Sequence, residues 1–279
     1  MHCIALFRVL ILLMGWSCLA SGSQAGLIQD IEFAKPDGVS LTLDAFVPEG
    51  PGPFPTVILV HGGGFDKGDK TTYIKPLFEP LSQAGFAWFT INYRLAGQRP
   101  WPACLEDVET AIRWVKAHAA EYKVDVKRIA LVGESAGGHL VSYAGARSQG
   151  DTSVAAVVPF YAPHDLEIRA RARQEVKEGA AKMFGVKTKP VGADFVKLGK
   201  ASPVNAVKAG MPPYLLIHGD QDPTVPHDQS IAFQKKMQAL GNVCDLITVH
   251  GGGHGMGPWS KLKPDYAKEM VAWLRKVME

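Results

Sequence analysis

The most constraining feature of the chain is the run Arg128-Ile129-Ala130-Leu131-Val132-Gly133-Glu134-Ser135-Ala136-Gly137-Gly138-His139-Leu140. An apolar segment ends in Gly-x-Ser-x-Gly, and a small-residue segment of helical character follows. This order predicts a buried strand, a very tight turn and a helix, with Ser135 held at the turn in a strained backbone conformation and its hydroxyl exposed. Gly133 and Gly137 flank the serine because a side chain at either place would collide with the neighbouring strand or helix. The first turn of the helix leaves N–H groups free, beginning at Ala136, to face whatever the serine attacks. The non-functional alternative is an ordinary glycine-rich turn between a strand and a helix.

The rest of the chain supplies the setting. Leu27–Lys35 and Ser40–Val47 read as two strands joined by the turn residues Pro36-Asp37-Gly38. Thr56–Val60 is a β-branched run expected of a strand buried on both faces, and it ends in His61-Gly62-Gly63-Gly64-Phe65. Helical spacing is predicted over Tyr73–Ala84, Cys104–Glu121, Asp165–Met183, Asp228–Leu240 and Tyr266–Val277. Further strands are predicted over Phe86–Asn92, Val154–Phe160, Tyr214–Ile217 and Val243–Val249. Strands alternate with helices from residue 56 onwards, so the expected fold class is α/β: a mostly parallel central sheet with helices on both faces and an antiparallel edge from the first two strands. Residues 26–279 are expected to form a single domain, with the irregular stretch 164–208 as a lid-like insertion. Its Arg169, Arg171 and Arg173 read as a solvated helix face in preference to a site for acidic sugars.

A serine hydroxyl needs a base, and that base needs an acceptor to fix its tautomer. The acid favoured by the pattern is Asp222, in His218-Gly219-Asp220-Gln221-Asp222-Pro223, with Asp220 as the rival that would cap the turn. The favoured base is His254, in His250-Gly251-Gly252-Gly253-His254-Gly255, with His250 read as structural. His118 is expected to face solvent, His218 to be structural, and His139 to line the site. Glu134 and Asp107 read as framework carboxylates. The backbone N–H groups of Gly63, Gly64 and Ala136 are the candidate donors to an oxyanion. His61, Tyr93, Ser135, Asp222 and His254 all fall just past strand ends, where functional residues collect in sheets of this kind.

Met1–Ala25 differs from the rest. Arg8 is its one charged residue, Val9–Met14 is an apolar core, and Ser23-Gln24-Ala25 offers small residues for cleavage. This predicts a secretory signal peptide cut after Ala25 and a secreted or periplasmic protein with no membrane attachment after cleavage; the alternative is an uncleaved N-terminal anchor. Cys104 and Cys244 are then the remaining cysteines, read as two separate buried thiols, with no Cys/His spacing for zinc. Lys and Arg number 30 against 27 Asp and Glu, a mild balance without a basic stripe, so nucleic acid is not an expected partner.

Together and in order, His61-Gly62-Gly63-Gly64-Phe65, Asn92-Tyr93-Arg94-Leu95, Leu105-Glu106-Asp107-Val108, Gly133-Glu134-Ser135-Ala136-Gly137-Gly138-His139 and the Asp222 and His254 segments resemble the α/β-hydrolase fold. The resemblance is to the hormone-sensitive-lipase-like esterases and the bacterial acetyl xylan and feruloyl esterases. It implies Ser135 as nucleophile, Asp222 and His254 as its partners, Gly63, Gly64 and Ala136 as the oxyanion hole, and no metal or cofactor. Two departures stand out: the segment before the first core strand is too short for a helical cap, and Tyr93-Arg94-Leu95-Ala96 is followed by Gly97-Gln98 rather than an acidic Pro-Glu. Both favour the smaller, more open carbohydrate-esterase relatives. The expected activity is hydrolysis of small-molecule or polysaccharide-linked esters, such as acetyl or feruloyl esters. The rival readings are a prolyl-oligopeptidase-like serine peptidase, which would need a cap or propeller, and a non-catalytic hydrolase-like binding module, which would not need all three polar residues.

Overall fold

The computed structural model describes residues 26–279, so the predicted signal peptide, Cys3 and Cys18 lie outside the described residues. Strand β1 (Gly26–Ala34) pairs antiparallel with β2 (Leu41–Val47), which pairs antiparallel with β4 (Ala87–Ile91). From β4 onward the neighbours are parallel: β3 (Phe54–Val60), β5 (Val124–Glu134), β6 (Ala156–Phe160), β7 (Tyr214–Gly219) and β8 (Cys244–Val249). The eight strands run in the order β1-β2-β4-β3-β5-β6-β7-β8. The predicted α/β class and antiparallel edge are thus what the chain forms.

This order creates the crevice where function is expected. After β3 the chain moves to one side to make β4, and later to the other side to make β5. Connections leaving neighbouring strands in opposite directions open a gap at their carboxyl ends. The glycine loop after β3 and Ser135 after β5 border that gap.

The β3 run is apolar because both its faces are covered. Ile58 and Val60 pack into one core layer with α2 (Ala103–Ala117) and α3 (Ala136–Ala146). Val57 and Leu59 pack into the other with α1 (Phe78–Gln83) and α9 (Tyr266–Met278). A side-chain period of two sends successive residues to opposite faces, so a strand covered on both sides loses its polar positions. Two further helices, α7 (Asp228–Ala239) and the short α8 (Trp259–Leu262), complete the layers. No helix among the described residues is long and apolar enough to cross a membrane.

Several predicted helices are shorter than expected, each for a local reason. The 73–84 segment contributes only a 3₁₀ turn over Lys75–Leu77 and the six residues of α1. Pro76 and Pro80 lack an N–H and fit only the first turn of a helix. Helix α2 ends at Ala117, because His118 stacks on Trp114 with ring centroids 4.0 Å apart and its Nδ1 meets the Trp114 carbonyl at 2.8 Å. His118 is therefore half-buried, not solvent-facing as expected. The 165–183 segment splits into α4 (Leu166–Arg173) and α5 (Glu178–Phe184) at Gln174, whose φ is 54°. Beyond the break, the buried Val176 gives its N–H to the Thr188 carbonyl. The rest of the irregular stretch contains a further helix, α6 (Ala193–Lys200), whose lysines masked its one buried leucine, Leu198. Leu166, Ala170, Met183 and Phe184 of this insertion share a core cluster with Phe65 and Leu140.

Cys104 and Cys244 are both buried and free, as two separate thiols. The Asn-Tyr-Arg-Leu and Leu-Glu-Asp-Val motifs meet in one buried ion pair. Arg94 reaches Asp107 through Nη2 at 2.7 Å and Nε at 2.9 Å, and its own backbone N–H donates to the same carboxylate at 2.8 Å. The pair ties the end of β4 to the first turns of α2, so Asp107 is a framework residue, as expected. Asp107→Ala leaves Arg94 its more exposed partner Asp37, 2.7 Å from Nη1, but removes the buried carboxylate and the acceptor of the Arg94 N–H. It should therefore lower the unfolding free energy by about 1.5–3 kcal/mol, measured by urea denaturation. A loss below about 1 kcal/mol, the level of an exposed pair, would contradict this assignment.

Candidate active site

The turn between β5 and α3 is as tight as its glycines imply. A Cβ at Gly137 would overlap the carbonyl oxygens of Val60 and His61 at the end of β3, and one at Gly133 would overlap the Gly137 carbonyl. The first turn of α3 therefore lies directly on β3. Between the glycines, Ser135 takes φ 52° and ψ −113°, outside the regions ordinary L-residues favour. Its N–H donates to the Phe160 carbonyl at 2.9 Å, which ties the turn to the end of β6.

Three of the predicted side chains come together. His254 Nε2 lies 2.9 Å from Ser135 Oγ, and its Nδ1 lies 2.6 Å from Asp222 Oδ2. A carboxylate can only accept, so Nδ1 carries the proton and donates to Asp222; Nε2 is left to accept from the Ser135 hydroxyl. The Asp222 side chain is fully buried, and that of His254 is 20% exposed. Burial alone would raise the Asp222 carboxyl, but hydrogen bonds from His218 and His254 and from the Val225 N–H outweigh it and hold it well below the usual carboxylate range. The Tyr161 ring stands edge-on to His254 at 4.7 Å.

The rival residues pair with each other instead. His250 Nδ1 meets Asp220 Oδ2 at 2.9 Å at the surface, where the His250 side chain is 87% exposed. His218 is buried and bonds Ser230 Oγ at 2.7 Å and the Val225 carbonyl at 2.9 Å, and its Nε2 also lies 3.3 Å from Asp222. It is structural, as expected, but it is also a neighbour of the acid. His139 corrects its expectation. It is wholly buried beneath the insertion, bonded to the Ala201 carbonyl at 2.8 Å and edge-on to Phe65, so it does not line the site.

The loop after β3 is tied to the serine turn. The Gly62 N–H is held by the Glu134 carboxylate, which leaves Gly63 and Gly64 as the loop's donors. Their φ values of 103° and 67° are ones a side chain resists. The Ala136 N–H begins α3, where helix geometry offers it no partner. His61 frames the loop from beneath. It is stacked on Tyr93 at 4.5 Å, its Nδ1 bonds the Gly62 carbonyl at 2.7 Å, and burial pushes its pKa down to about 4. Glu134 thus holds the loop against the serine turn. No group of three or more His, Cys, Asp or Glu among the described residues is arranged to hold a metal ion.

The arginines of the insertion correct a second expectation. Arg171 does lie at the surface, paired with Glu167 at 2.7 Å. Arg173 is exposed too, yet its Nη2 reaches the Pro223 carbonyl at 2.6 Å, and only Arg169 turns inward, to the Thr224 carbonyl at 3.0 Å; both carbonyls lie in the turn that carries Asp222. No motif marks these contacts, because they join segments about fifty residues apart through backbone atoms.

With the geometry in hand, the chain can be set beside known proteins. The BD-FAE family model matches residues 43–237. The chain is 34% identical over 199 residues to the probable carboxylic ester hydrolase LipM of Mycobacterium tuberculosis, covering 68% of this chain and 46% of LipM. It is 27% identical over 268 residues to the acetylxylan esterase of Xylanibacter ruminicola, covering 94% of this chain and 54% of that one. The chain thus spans about half the length of these curated relatives. Among solved structures, a truncated form of carbohydrate esterase from gut microbiota superposes with a TM-score of 0.80 at 29% identity, over 93% of this chain and 98% of that one.

Glu134 supplies a test of the frame. Burial raises its carboxyl to about 7, against an ordinary 4.5, with the Gly62 N–H opposing. An acid raised on folding favours the folded state while protonated, and it costs stability as pH rises from 4.5 through 7. Glu134→Gln keeps the acceptor and removes the charge. Its stability relative to the parent should therefore climb between pH 4.5 and 7 and level off above, by up to a few kcal/mol. Urea melts at pH 5 and pH 8 that give the same difference would contradict the assignment.

Proposed function

The chain belongs to the BD-FAE family and has the α/β-hydrolase fold, and from that premise we propose that it is a serine carboxylic-ester hydrolase working through an acyl-enzyme. The observation that carries this reading is the single imidazole that joins Ser135 Oγ to the Asp222 carboxylate, at a turn to which the glycine loop after β3 is tied through Glu134.

In the proposed cycle, Ser135 Oγ attacks the ester carbonyl carbon while His254 Nε2 takes the hydroxyl proton. Negative charge develops on the carbonyl oxygen, where N–H groups of Gly63, Gly64 and Ala136 stabilise it; fixed donors need no reorientation as the charge forms. The tetrahedral species collapses, the C–O bond to the alcohol breaks, and His254 returns its proton to the departing alkoxide. Water then attacks the acyl-enzyme with His254 as base, and release of the carboxylic acid restores Ser135. Asp222 stays ionised throughout, holding the Nδ1–H and with it the ring's orientation and tautomer. No step calls for a metal or cofactor.

We further propose short-chain or carbohydrate-linked esters, acetyl or feruloyl, as the substrate class, and a secreted or periplasmic location. The names of the acetylxylan esterase and carbohydrate esterase relatives support the first. The charge, apolar core and small residues of Met1–Ala25 support the second.

Ser135→Ala is expected to abolish turnover of p-nitrophenyl acetate, and Asp222→Asn to cut kcat by about a thousandfold or more, since an amide cannot hold the imidazole in the required tautomer. Turnover unchanged in Ser135→Ala would overturn the assignment. A series of p-nitrophenyl esters run beside acetylated xylan, methyl ferulate and a peptide p-nitroanilide then defines the substrate. Peptide cleavage without ester cleavage would mean a peptidase.

A further inference from the structure

The turn that carries the acid is held from two sides through the same two peptide units. On its inner side, Asp222 Oδ1 accepts the N–H of Thr224 at 2.7 Å and of Val225 at 2.8 Å. On its outer side, the carbonyls of those same units meet arginines of α4. The Pro223 carbonyl, which shares its peptide with the Thr224 N–H, accepts from Arg173 Nη2 at 2.6 Å. The Thr224 carbonyl, which shares its peptide with the Val225 N–H, accepts from Arg169 Nη2 at 3.0 Å. The two arginines are four residues apart on one helix and so lie on one face of it.

This arrangement is costly to build. Burial pushes Arg169 down to about 10, the neighbouring Arg173 charge adds to that, and the Asp222 carboxylate opposes it. Arg169 Nε is buried and finds no acceptor among the described residues. A partly buried guanidinium held beside a second cation needs a counterweight.

We propose that Arg169 and Arg173 are positioning residues for Asp222, relaying positive charge through two peptide groups to the carboxylate that faces His254. A donor on a carbonyl polarises its peptide and strengthens the N–H at the other end. Each arginine thus reinforces one hydrogen bond to Asp222 Oδ1 without touching the carboxylate. A direct ion pair would compete for oxygen sites on Asp222; the relay leaves Oδ2 to His254 and, more distantly, His218. The donors come from the insertion, so that segment and the acid turn are mechanically linked.

The charged and titratable groups around this point are few. Asp222 is faced by His254, by His218 from β7 and by the two arginines from α4. His254 is faced by Asp222, Ser135 and the Tyr161 ring. Removing the arginines makes the carboxylate a stronger acceptor for an imidazolium and also removes a repulsion on it. Both effects favour protonated His254.

The inference rests on the esterase reading, so its test is read without turnover. The His254 Cε1–H signal, assigned by its loss in His254→Ala, is titrated by NMR in the parent, R173M, R169M/R173M and R169K/R173K. The midpoint is expected to rise by about half a pH unit, a threefold change in the protonation constant, in R169M/R173M. It should rise by less in R173M and stay near the parent in the lysine pair. With p-nitrophenyl acetate, the acid limb of kcat/KM should move the same way, with kcat lowered and KM little changed. A parental midpoint in a folded R169M/R173M overturns the proposal. Arg173 is exposed, so R173M should fold in any case; if the double variant does not, an unshifted midpoint in R173M overturns it instead. Absence of ester turnover in the parent would unseat the esterase reading and leave the titration to decide this one.

Discussion

Everything at the site depends on a backbone approach. The first turn of α3 lies against the carboxyl end of β3 so closely that no side chain fits at Gly137, and β5 enters the same turn with no room at Gly133. Between those two contacts Ser135 is held at φ 52°. The conformation is unfavourable in isolation and persists because the surrounding strands over-determine it. The same approach brings the loop after β3 alongside the serine. Glu134, one residue before it, then fastens that loop through the Gly62 N–H.

The acid side obeys a different constraint. A carboxylate with a fully buried side chain is stable as an anion only if donors surround it. Asp222 has amides on Oδ1, while His254, and more distantly His218, approach Oδ2. This explains why Asp222 and not Asp220 meets His254. Asp220 sits at the surface end of the turn, where it accepts the Gly251 N–H at 2.8 Å and pairs with an exposed histidine. The two aspartates stand two residues apart and differ in which side of the turn they face.

Much of this was legible in the sequence because the chemistry uses local signals. Gly-x-Ser-x-Gly, the triple glycine and the glycine-flanked His254 each announce a backbone shape that few residues tolerate, and a strand precedes each. The apolar runs revealed the strands because burial on both faces removes polar positions. What stayed hidden was tertiary. Helical spacing extends over 73–84, but Pro76 and Pro80 confine the segment to a 3₁₀ turn and the six residues of α1. The lysines of α6 looked like a loop because only one narrow face is buried. His139 seemed to be at the site because it follows Ser135 by one helical turn, yet that turn carries it beneath Phe65 and the insertion. The roles of Arg169 and Arg173 were unreadable, since their partners are carbonyl oxygens, which no sequence pattern distinguishes.

The insertion therefore has two relations to the site, and they constrain each other. Its apolar face, with Leu166, Met183 and Phe184, is continuous with the core beneath the glycine loop through Phe65, whose ring stands edge-on to Phe184 at 5.1 Å. Its polar contacts reach the acid turn through the arginines of α4. Surface segments usually vary freely. Here a change in the insertion also pulls on the glycine loop at one end and on Asp222 at the other. Substitutions should be tolerated best where the insertion is anchored to neither, as at the exposed Val191 and Val196 before and within α6. They should be tolerated least along the inner faces of α4 and α5, where the insertion packs against the core and holds the Asp222 turn.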